Sequence, residues 1–599
     1  MPDKSPTSST HRPTNKELVH ILKSIAAVYL IQGANRFRLI AYQKASDAIE
    51  PLTQEVYDLW QNGMLDTIPG LGSTMQEHLD EYFRSPEDSY FQQQLSQLPA
   101  SVYELMRAPG IGPMKAYKIV TAFGFNDPTT IYADVRKAAS NNLIAELDSF
   151  GVKSQADIIK ALDILDERGT TEIRMNLPVA LRLASDVTAY LLQHASITRV
   201  EPMGSLRRRA PTIGDVDLLV VCDEAHMQEV IHYFVTYPAC ISIEAEGKDK
   251  GAIMVSGGRR VDLRVIPERQ YGSMIQYFTG SKAHNIKLRE IALKKGFSLN
   301  EFGIKDVKSG VVHEFPTEEG FYEFLGLQWV PPEMREGFDE IKLSQNHTVP
   351  HLIQVKDIQG EFHVHSNFDV TTSHDLGADP IEAMAQKAHE LGYKYLALSE
   401  HNPASKLSNE EATSIIKAKK EAINAWNAHP AVPVYLFNSL EIDIQPDGSL
   451  ALSDSAFEHL DLCVVSLHSS FRMSRDDMTK RILKAFTYPK VRIMGHPTGR
   501  LLGKREEVEA DWVAVMKEAT KLGIALEINA SPERLDLPEG LVRQALIHKT
   551  KLVIDTDAHA ASHMDGIEFG VYVARRGWVQ KDDIMNTKSL KEIIHWINS

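Results

Sequence analysis

Residues 204–220 read GSLRRRAPTIGDVDLLV. Side chains alternate along a strand, so Asp215 and Asp217 share one face while Val216, Leu218 and Val220 share the other. Two carboxylates on one face repel each other unless something cationic sits between them. A divalent metal meets that need, and a solvated acidic strand end is the plainer alternative. The flanking sequence favours the metal. Gly204 and Ser205 form a turn ahead of the pair, and RRVDLRVI (259–266) supplies Asp262 on a second strand, with Arg264 on the same face. Three carboxylates can hold two ions, one lowering the pKa of an attacking hydroxyl and the other bridging triphosphate oxygens. The turn offers backbone N–H groups and a hydroxyl to phosphates, and the arginines meet the charge that develops on pyrophosphate. This is a nucleotidyltransferase layout.

At 599 residues and 43% hydrophobic, the chain should divide into several domains. Three widely spaced cysteines give no disulfide framework and point to a reducing, cytoplasmic compartment. The polar N-terminus (1–14) reads as a disordered tail, and no apolar run is long enough to span a membrane. The net charge of −15 argues against nucleic acid in bulk, but clustered acidic ligands would mask a local basic groove.

Residues 15–165 carry helical periodicity broken by two similar glycine turns, IPGLGST (68–74) and APGIGPMK (108–115), with a weaker third, SFGVKS (149–154). A glycine turn ahead of a helix presents backbone N–H groups to phosphate without using charge. One copy could be an ordinary turn. Two copies favour helix-hairpin-helix motifs that grip the DNA backbone through Gly70, Gly72, Gly110 and Gly112. From about 171 to 335 the pattern is mixed α/β, residues 336–357 read as a linker, and from 358 onward strands alternate with helices as in a barrel.

GSLRRR…GDVDLLV, RVDLRVIP and QYFTGSKAHNIKLREIALKKGFSLNEFG (276–303) together resemble family X DNA polymerases. The resemblance implies that Asp215, Asp217 and Asp262 bind two Mg²⁺ or Mn²⁺ ions. It also implies that Arg174, Gly204, Ser205, Arg208, Gly214 and Arg264 serve the nucleotide site, that Tyr277, Phe278 and Gly280 line the sugar, that Asn285 reaches the minor-groove edge and that Arg289 meets the template strand. In the eukaryotic repair member a lysine after the first hairpin forms a Schiff base with 5′-deoxyribose phosphate. His78 stands at that position here and cannot form the adduct.

Further along, HVH (363–365), SEHNP (399–403), SLEID (439–443), SLHSS (466–470), GHPTGR (495–500) and DTDAH (555–559) each put ligand-type residues at the C-terminal end of a strand. Barrels build active sites there. These stations resemble the PHP (polymerase and histidinol phosphatase) domain, a trinuclear metal phosphoesterase that bacterial family X polymerases carry at the C-terminus. The resemblance implies up to three Mn²⁺ or Zn²⁺ ions. His363, His365, Glu441 and Asp557 would hold one, Glu441, His468 and His496 a second, and His401 and His559 a third together with Asp375, with His374 and Asp369 as weaker candidates.

The expected fold is multidomain: a tail (1–14), a helical helix-hairpin-helix domain (15–85), fingers with a second hairpin (86–165), an α/β nucleotidyltransferase palm (166–270), a thumb (271–335), a linker (336–357) and a (β/α)7-type PHP barrel (358–599). The expected function is template-directed filling of short gaps in DNA repair, with a 3′-5′ exonuclease in the barrel and gapped or primed DNA and deoxynucleoside triphosphates as partners. A monomer is expected. The alternatives are a mainly structural PHP domain, a non-templated nucleotidyltransferase, a DNA-end-binding scaffold and a small-metabolite phosphatase.

Overall fold

In the computed structural model the chain divides into two units, residues 1–173 and 174–599. The structure describes residues 13–599 except 14, 34–35, 50–55, 62, 69–70, 109–110, 149, 153, 157, 160, 163–173, 256–258 and 373. The tail expected over 1–14, Pro13 aside, therefore lies outside the described residues, as do Gly70, Gly110 and parts of the 149–154 turn.

The first unit is helical among its described residues. Helices Ser73–Arg84 and Pro113–Phe123 both begin at a glycine, Gly72 and Gly112. Corresponding bonds precede both: the Leu71 N–H donates to the Ile68 carbonyl at 3.2 Å, and the Ile111 N–H donates to the Ala108 carbonyl at 3.1 Å. Leu71 and Ile111 are buried in separate apolar clusters, which fixes the depth of each turn.

In the second unit, five palm strands are β1 (Arg199–Pro202), β2 (Val216–Val221), β3 (Cys240–Glu246), β4 (Lys250–Val255) and β5 (Arg259–Ile266). They pair in the order β1-β2-β5-β4-β3, with β2 and β5 parallel and the other neighbours antiparallel. Alternation settles the packing. Val216, Leu218, Val220, Val261, Leu263 and Val265 join the core with helices Leu177–Leu191 and Met227–Val235, while Leu219, Val221 and Ile266 pack with Met274 and Ile275 of helix Tyr271–Thr279.

The thumb adds a small antiparallel sheet (Phe297–Asn300, Gly303–Asp306, Val312–His313) and helices Lys282–Lys294 and Glu318–Phe324. The linker expected over 336–357 is corrected by the structure. Helix Glu340–Gln345 forms there, and Ile341, Val349 and Leu352 are buried in the thumb's own cluster. These apolar positions are too sparse to show helical periodicity, yet tertiary packing orders them.

The barrel consists of β6 (Gly360–Val364), β7 (Tyr395–His401), β8 (Tyr435–Asp443), β9 (Leu462–Ser466), β10 (Val491–Met494), β11 (Ala525–Asn529) and β12 (Lys551–Asp555), paired in sequence order and all parallel. The last strand returns to the first: the His365 N–H donates to the Ala558 carbonyl at 2.8 Å and the Asp557 N–H to the His363 carbonyl at 3.0 Å. Tyr395, Ala397, Phe437, Val464, Ile493, Ala525 and Val553 form one cluster with Trp596 of the C-terminal helix Leu590–Ile597. Leu396, Leu398, Leu440, Ile442, Val465, Leu526 and Ile554 face the surrounding helices instead. Continuing the inner face by steps of two places His401, Glu441, Glu527 and Asp557 at the C-terminal mouth.

Candidate metal centres for nucleotidyl transfer and phosphodiester cleavage

Register brings the palm carboxylates together: Asp217 on β2 is the direct partner of Asp262 on β5. Asp217 sits above the turn that begins at Gly204, whose φ is +58°. A Cβ at Gly204 would overlap the Asp217 carboxylate, so this position needs glycine both for its backbone and for its neighbour. Burial, and then the charges of Asp262 and Asp215, push the Asp217 carboxyl up to about 6. Arg260 clasps Asp262 through two bonds, of 2.7 and 2.9 Å, and offsets part of that charge. Asp215 is exposed at the strand entrance.

The three arginines after Ser205 take different partners. Arg207 makes two bonds to buried Glu318, at 3.0 and 2.9 Å, and Arg335 binds the same carboxylate at 2.6 Å. Burial alone would raise the Glu318 carboxyl, but the two guanidiniums hold it far below the ordinary range. Arg207 is thus a structural cation. Arg208 donates to Glu336 at 3.1 Å and to the Thr279 carbonyl at 2.6 Å. Arg209 lies 4.6 Å over the Tyr572 ring of the barrel domain.

Arg174 is held by Thr212, its Nε donating to the hydroxyl and Nη2 to the carbonyl, both at 2.8 Å, and its Nη1 lies close to where a Cβ on Gly214 would stand. Tyr277 and Phe278 meet edge to face at 5.2 Å, with Arg289 over the first ring and Arg264 over the second. Gly280 follows at φ +68°. Asn285 donates to the Tyr277 carbonyl at 2.7 Å and accepts from Gln276 at 2.9 Å, which fixes its amide orientation. His78 in the first unit is bonded to the Tyr42 hydroxyl at 2.9 Å and stacked on Tyr90 at 4.1 Å.

At the barrel mouth, four donor groups overlap among the described residues: His363, His365, Glu441 and Asp557; Glu441, His468 and His496; His365, His401 and His559; and His374, His401 and His468. Within each group the candidate ligand atoms lie within 4.8 Å of one another. Glu441 is the hub, with its carboxylate 2.8 Å from His496 Nε2, 2.9 Å from His401 Nδ1 and 3.3 Å from His468 Nε2. Burial opposes ionisation of Glu441, but His468, His363 and His401 hold its carboxyl well below normal. Asp375 lies 3.4 Å from both His401 Nε2 and His559 Nε2. His374 approaches His401 and His468 and bonds to Asp443 at 3.0 Å.

This donor set fits divalent metals. His363 Nε2, both nitrogens of His365, Glu441 Oε2, Asp557 Oδ1 and His559 Nε2 are buried without hydrogen-bond partners, an arrangement that costs energy unless a cation is shared. Mixed imidazole and carboxylate ligands suit manganese or zinc.

Several supporting residues escaped the sequence reading. Glu527 accepts from His363 Nδ1 at 2.7 Å and Asp443 bonds to His468 Nδ1 at 2.7 Å, so each fixes an imidazole that faces the centre. Both sit on inward positions of barrel strands, and that periodicity was their available signal. Arg534 approaches Asp557 at 3.7 Å. Glu400, which stands beside His401 in SEH, is turned away from the centre: it is buried against Lys419 and accepts from Ser366.

Family models match three segments: the helix-hairpin-helix domain at residues 13–87, the DNA polymerase beta thumb at 274–336 and the PHP domain at 361–531. The chain is 32% identical over 580 residues to DNA polymerase/3′-5′ exonuclease PolX of Bacillus subtilis (strain 168), covering 96% of this chain and 98% of that protein. It is 26% identical over 362 residues to DNA polymerase lambda of Rattus norvegicus, covering 55% of this chain and 58% of that one. For DNA polymerase lambda of Arabidopsis thaliana the figures are 22% over 364 residues, 55% and 64%.

Proposed function

The chain belongs to the bacterial family X DNA polymerases that carry a C-terminal PHP domain, and from that membership we propose how its two sites divide gap filling from end trimming. It is a DNA polymerase with 3′-5′ exonuclease activity, acts on DNA and deoxynucleoside triphosphates, and depends on divalent metals.

Nucleotidyl transfer is assigned to Asp215, Asp217 and Asp262. The supporting observation is the direct register of Asp217 with Asp262 over the Gly204 turn. Mg²⁺ or Mn²⁺ bound there would supply the positive charge that lets a 3′-hydroxyl lose its proton and pyrophosphate depart. Ser205, Arg208, Arg174 and the glycine turns bind and orient the triphosphate, with Arg264 alongside. Tyr277, Phe278 and Gly280 flank the sugar, and Asn285, whose amide orientation is fixed by Tyr277 and Gln276, is the residue for the minor-groove edge. Such contacts check pair geometry rather than base identity, because the minor-groove pattern is degenerate.

Exonucleolytic cleavage is assigned to the barrel mouth, with Mn²⁺ or Zn²⁺ on His363, His365, Asp375, His401, Glu441, His468, His496, Asp557 and His559. Gly70, Gly72, Gly110 and Gly112 hold the DNA backbone. The palm is read as 166–270 and the thumb as 271–335, with residues 336–357 packed on the thumb core and the barrel from 358. The reading is of a cytoplasmic monomer acting in repair, and free, buried Cys222 and Cys463 agree with the reducing compartment.

Single-nucleotide gapped DNA with each of the four template bases tests the reading. Incorporation should follow the template base in Mg²⁺ or Mn²⁺. Addition that ignores the template would favour a non-templated transferase.

A further inference from the structure

Arg208 is one end of a chain of alternating charges that crosses from the palm to the barrel domain. Its Nε donates to Glu336 Oε1 at 3.1 Å, and the same Oε1 accepts from Arg576 Nη1 at 2.8 Å. Arg576 ends the barrel helix Ile567–Arg576. Its Nη1 also donates to the backbone carbonyl of Arg208 at 2.9 Å, while Nε and Nη2 go to Glu539 at 3.2 and 2.6 Å. The order is Arg208, Glu336, Arg576, Glu539. Arg576 is 7% exposed, so this network is built inside the fold rather than on a solvated rim.

Two features separate this arrangement from ordinary interface packing. First, Arg576 restrains Arg208 twice, at its backbone and through the carboxylate that sets its guanidinium plane. Second, Arg208 Nη1 donates to the Thr279 carbonyl, and a Cβ on Gly280 would stand 3.2 Å from that nitrogen. The same guanidinium therefore braces the segment that follows Tyr277 and Phe278. A guanidinium has five donors in a fixed fork, so fixing Nε and Nη1 aims Nη2 as well. Charge-assisted bonds of this kind are the strong ones, and burial strengthens them.

We propose that Arg576 and Glu336 are positioning residues for Arg208, so that the exonuclease domain sets the nucleotide affinity of the polymerase site. The proposal rests on the reading of Arg208 as a triphosphate-binding residue. It gives the barrel a role in synthesis that is independent of its own chemistry.

The test uses the full chain on gapped DNA, with KM for the incoming nucleotide and kcat measured for Arg576→Gln, Glu336→Gln, Arg208→Ala and the double variant Arg576→Gln/Arg208→Ala. Arg576→Gln should raise KM by about fivefold or more with kcat little changed, a loss of ground-state binding. Exonuclease rate, measured well below the transition, should stay at the parental value because Arg576 touches no barrel-mouth residue, while melting temperature should fall because Glu539 and Glu336 lose their buried counter-charge. The double variant should match Arg208→Ala alone, since a residue acting only through Arg208 has nothing left to position. Additive effects, or an unchanged KM in Arg576→Gln while Arg208→Ala raises it, would overturn the proposal. An unchanged KM in Arg208→Ala would remove the triphosphate reading, and the proposal with it. If Arg576→Gln fails to fold, the isosteric Glu336→Gln carries the same comparison with the same outcomes.

Discussion

Asp217 and Asp262 are register partners on parallel neighbouring strands, yet they are restrained differently: Asp217 is lodged against the Gly204 turn, and Asp262 is clasped by Arg260. The palm thus holds two like charges side by side and neutralises only one of them within the protein. A site of this kind stores repulsion that a bound cation relieves.

That repulsion has a measurable sign. Without metal, burial first and then the charges of Asp262 and Asp215 push the Asp217 carboxyl up to about 6, above its ordinary 3.8. The folded state holds this proton more tightly than the unfolded state, so ionised Asp217 lowers stability above about pH 6. The penalty fades as pH falls towards the ordinary value. In EDTA near neutral pH, Asp217→Asn should be more stable than the parent by up to about 3 kcal/mol. The advantage should shrink in acid, and added Mg²⁺ should stabilise the parent more than the variant, whose barrel centre is intact. A parent that melts higher than the variant in EDTA would contradict the account.

Glu318 is the single carboxylate between Arg207 and Arg335, and all three are largely buried. Glu318→Ala would leave two guanidiniums without their counter-charge, at a cost of about 3–5 kcal/mol in urea unfolding of the second unit. A loss indistinguishable from that of an exposed pair would mean that water reaches this triad.

Glu527 holds His363 by Nδ1, leaving Nε2 to face the centre. Glu527→Gln keeps the shape but weakens that bond. Metal retained after dialysis should fall, with affinity lower by roughly 10–100-fold. Parental metal content would make Glu527 a packing residue.

Gly112 has φ −77° and nothing within 4 Å of where a Cβ would stand. Gly112→Ala should therefore leave melting unchanged. A methyl group there would still hold a phosphate away from the backbone N–H groups. Binding of gapped DNA should weaken while the salt slope, roughly −0.9 per neutralised phosphate, is retained. Equal affinity across a salt series would make APGIGP only a turn.

The parts of this molecule that follow strand alternation were legible in the sequence. The face of Asp217, the companion face of Asp262 and the seven barrel strands all follow from a period of two and the residues at each strand end. The partners of those residues were not legible. In the sequence Arg207, Arg208 and Arg209 look interchangeable, yet one is taken by Glu318, one by Glu336 and one by Tyr572, each more than a hundred residues away. Local spacing carries no information about such pairings. Residues 336–357 were misread for the same reason, because their few apolar side chains acquire meaning only against the thumb core. Glu400, next to His401 in the chain, is turned by strand alternation the other way, towards Lys419.

The central claim is that one chain carries two metal sites that share no residue. Asp217→Asn and His468→Ala, each assayed for templated incorporation on gapped DNA and for release of 3′-terminal nucleotides from single-stranded DNA, test it most directly. Asp217→Asn should lose incorporation and keep nucleotide release, and His468→Ala should do the reverse. Loss of both activities in Asp217→Asn, with the variant folded, would contradict the account.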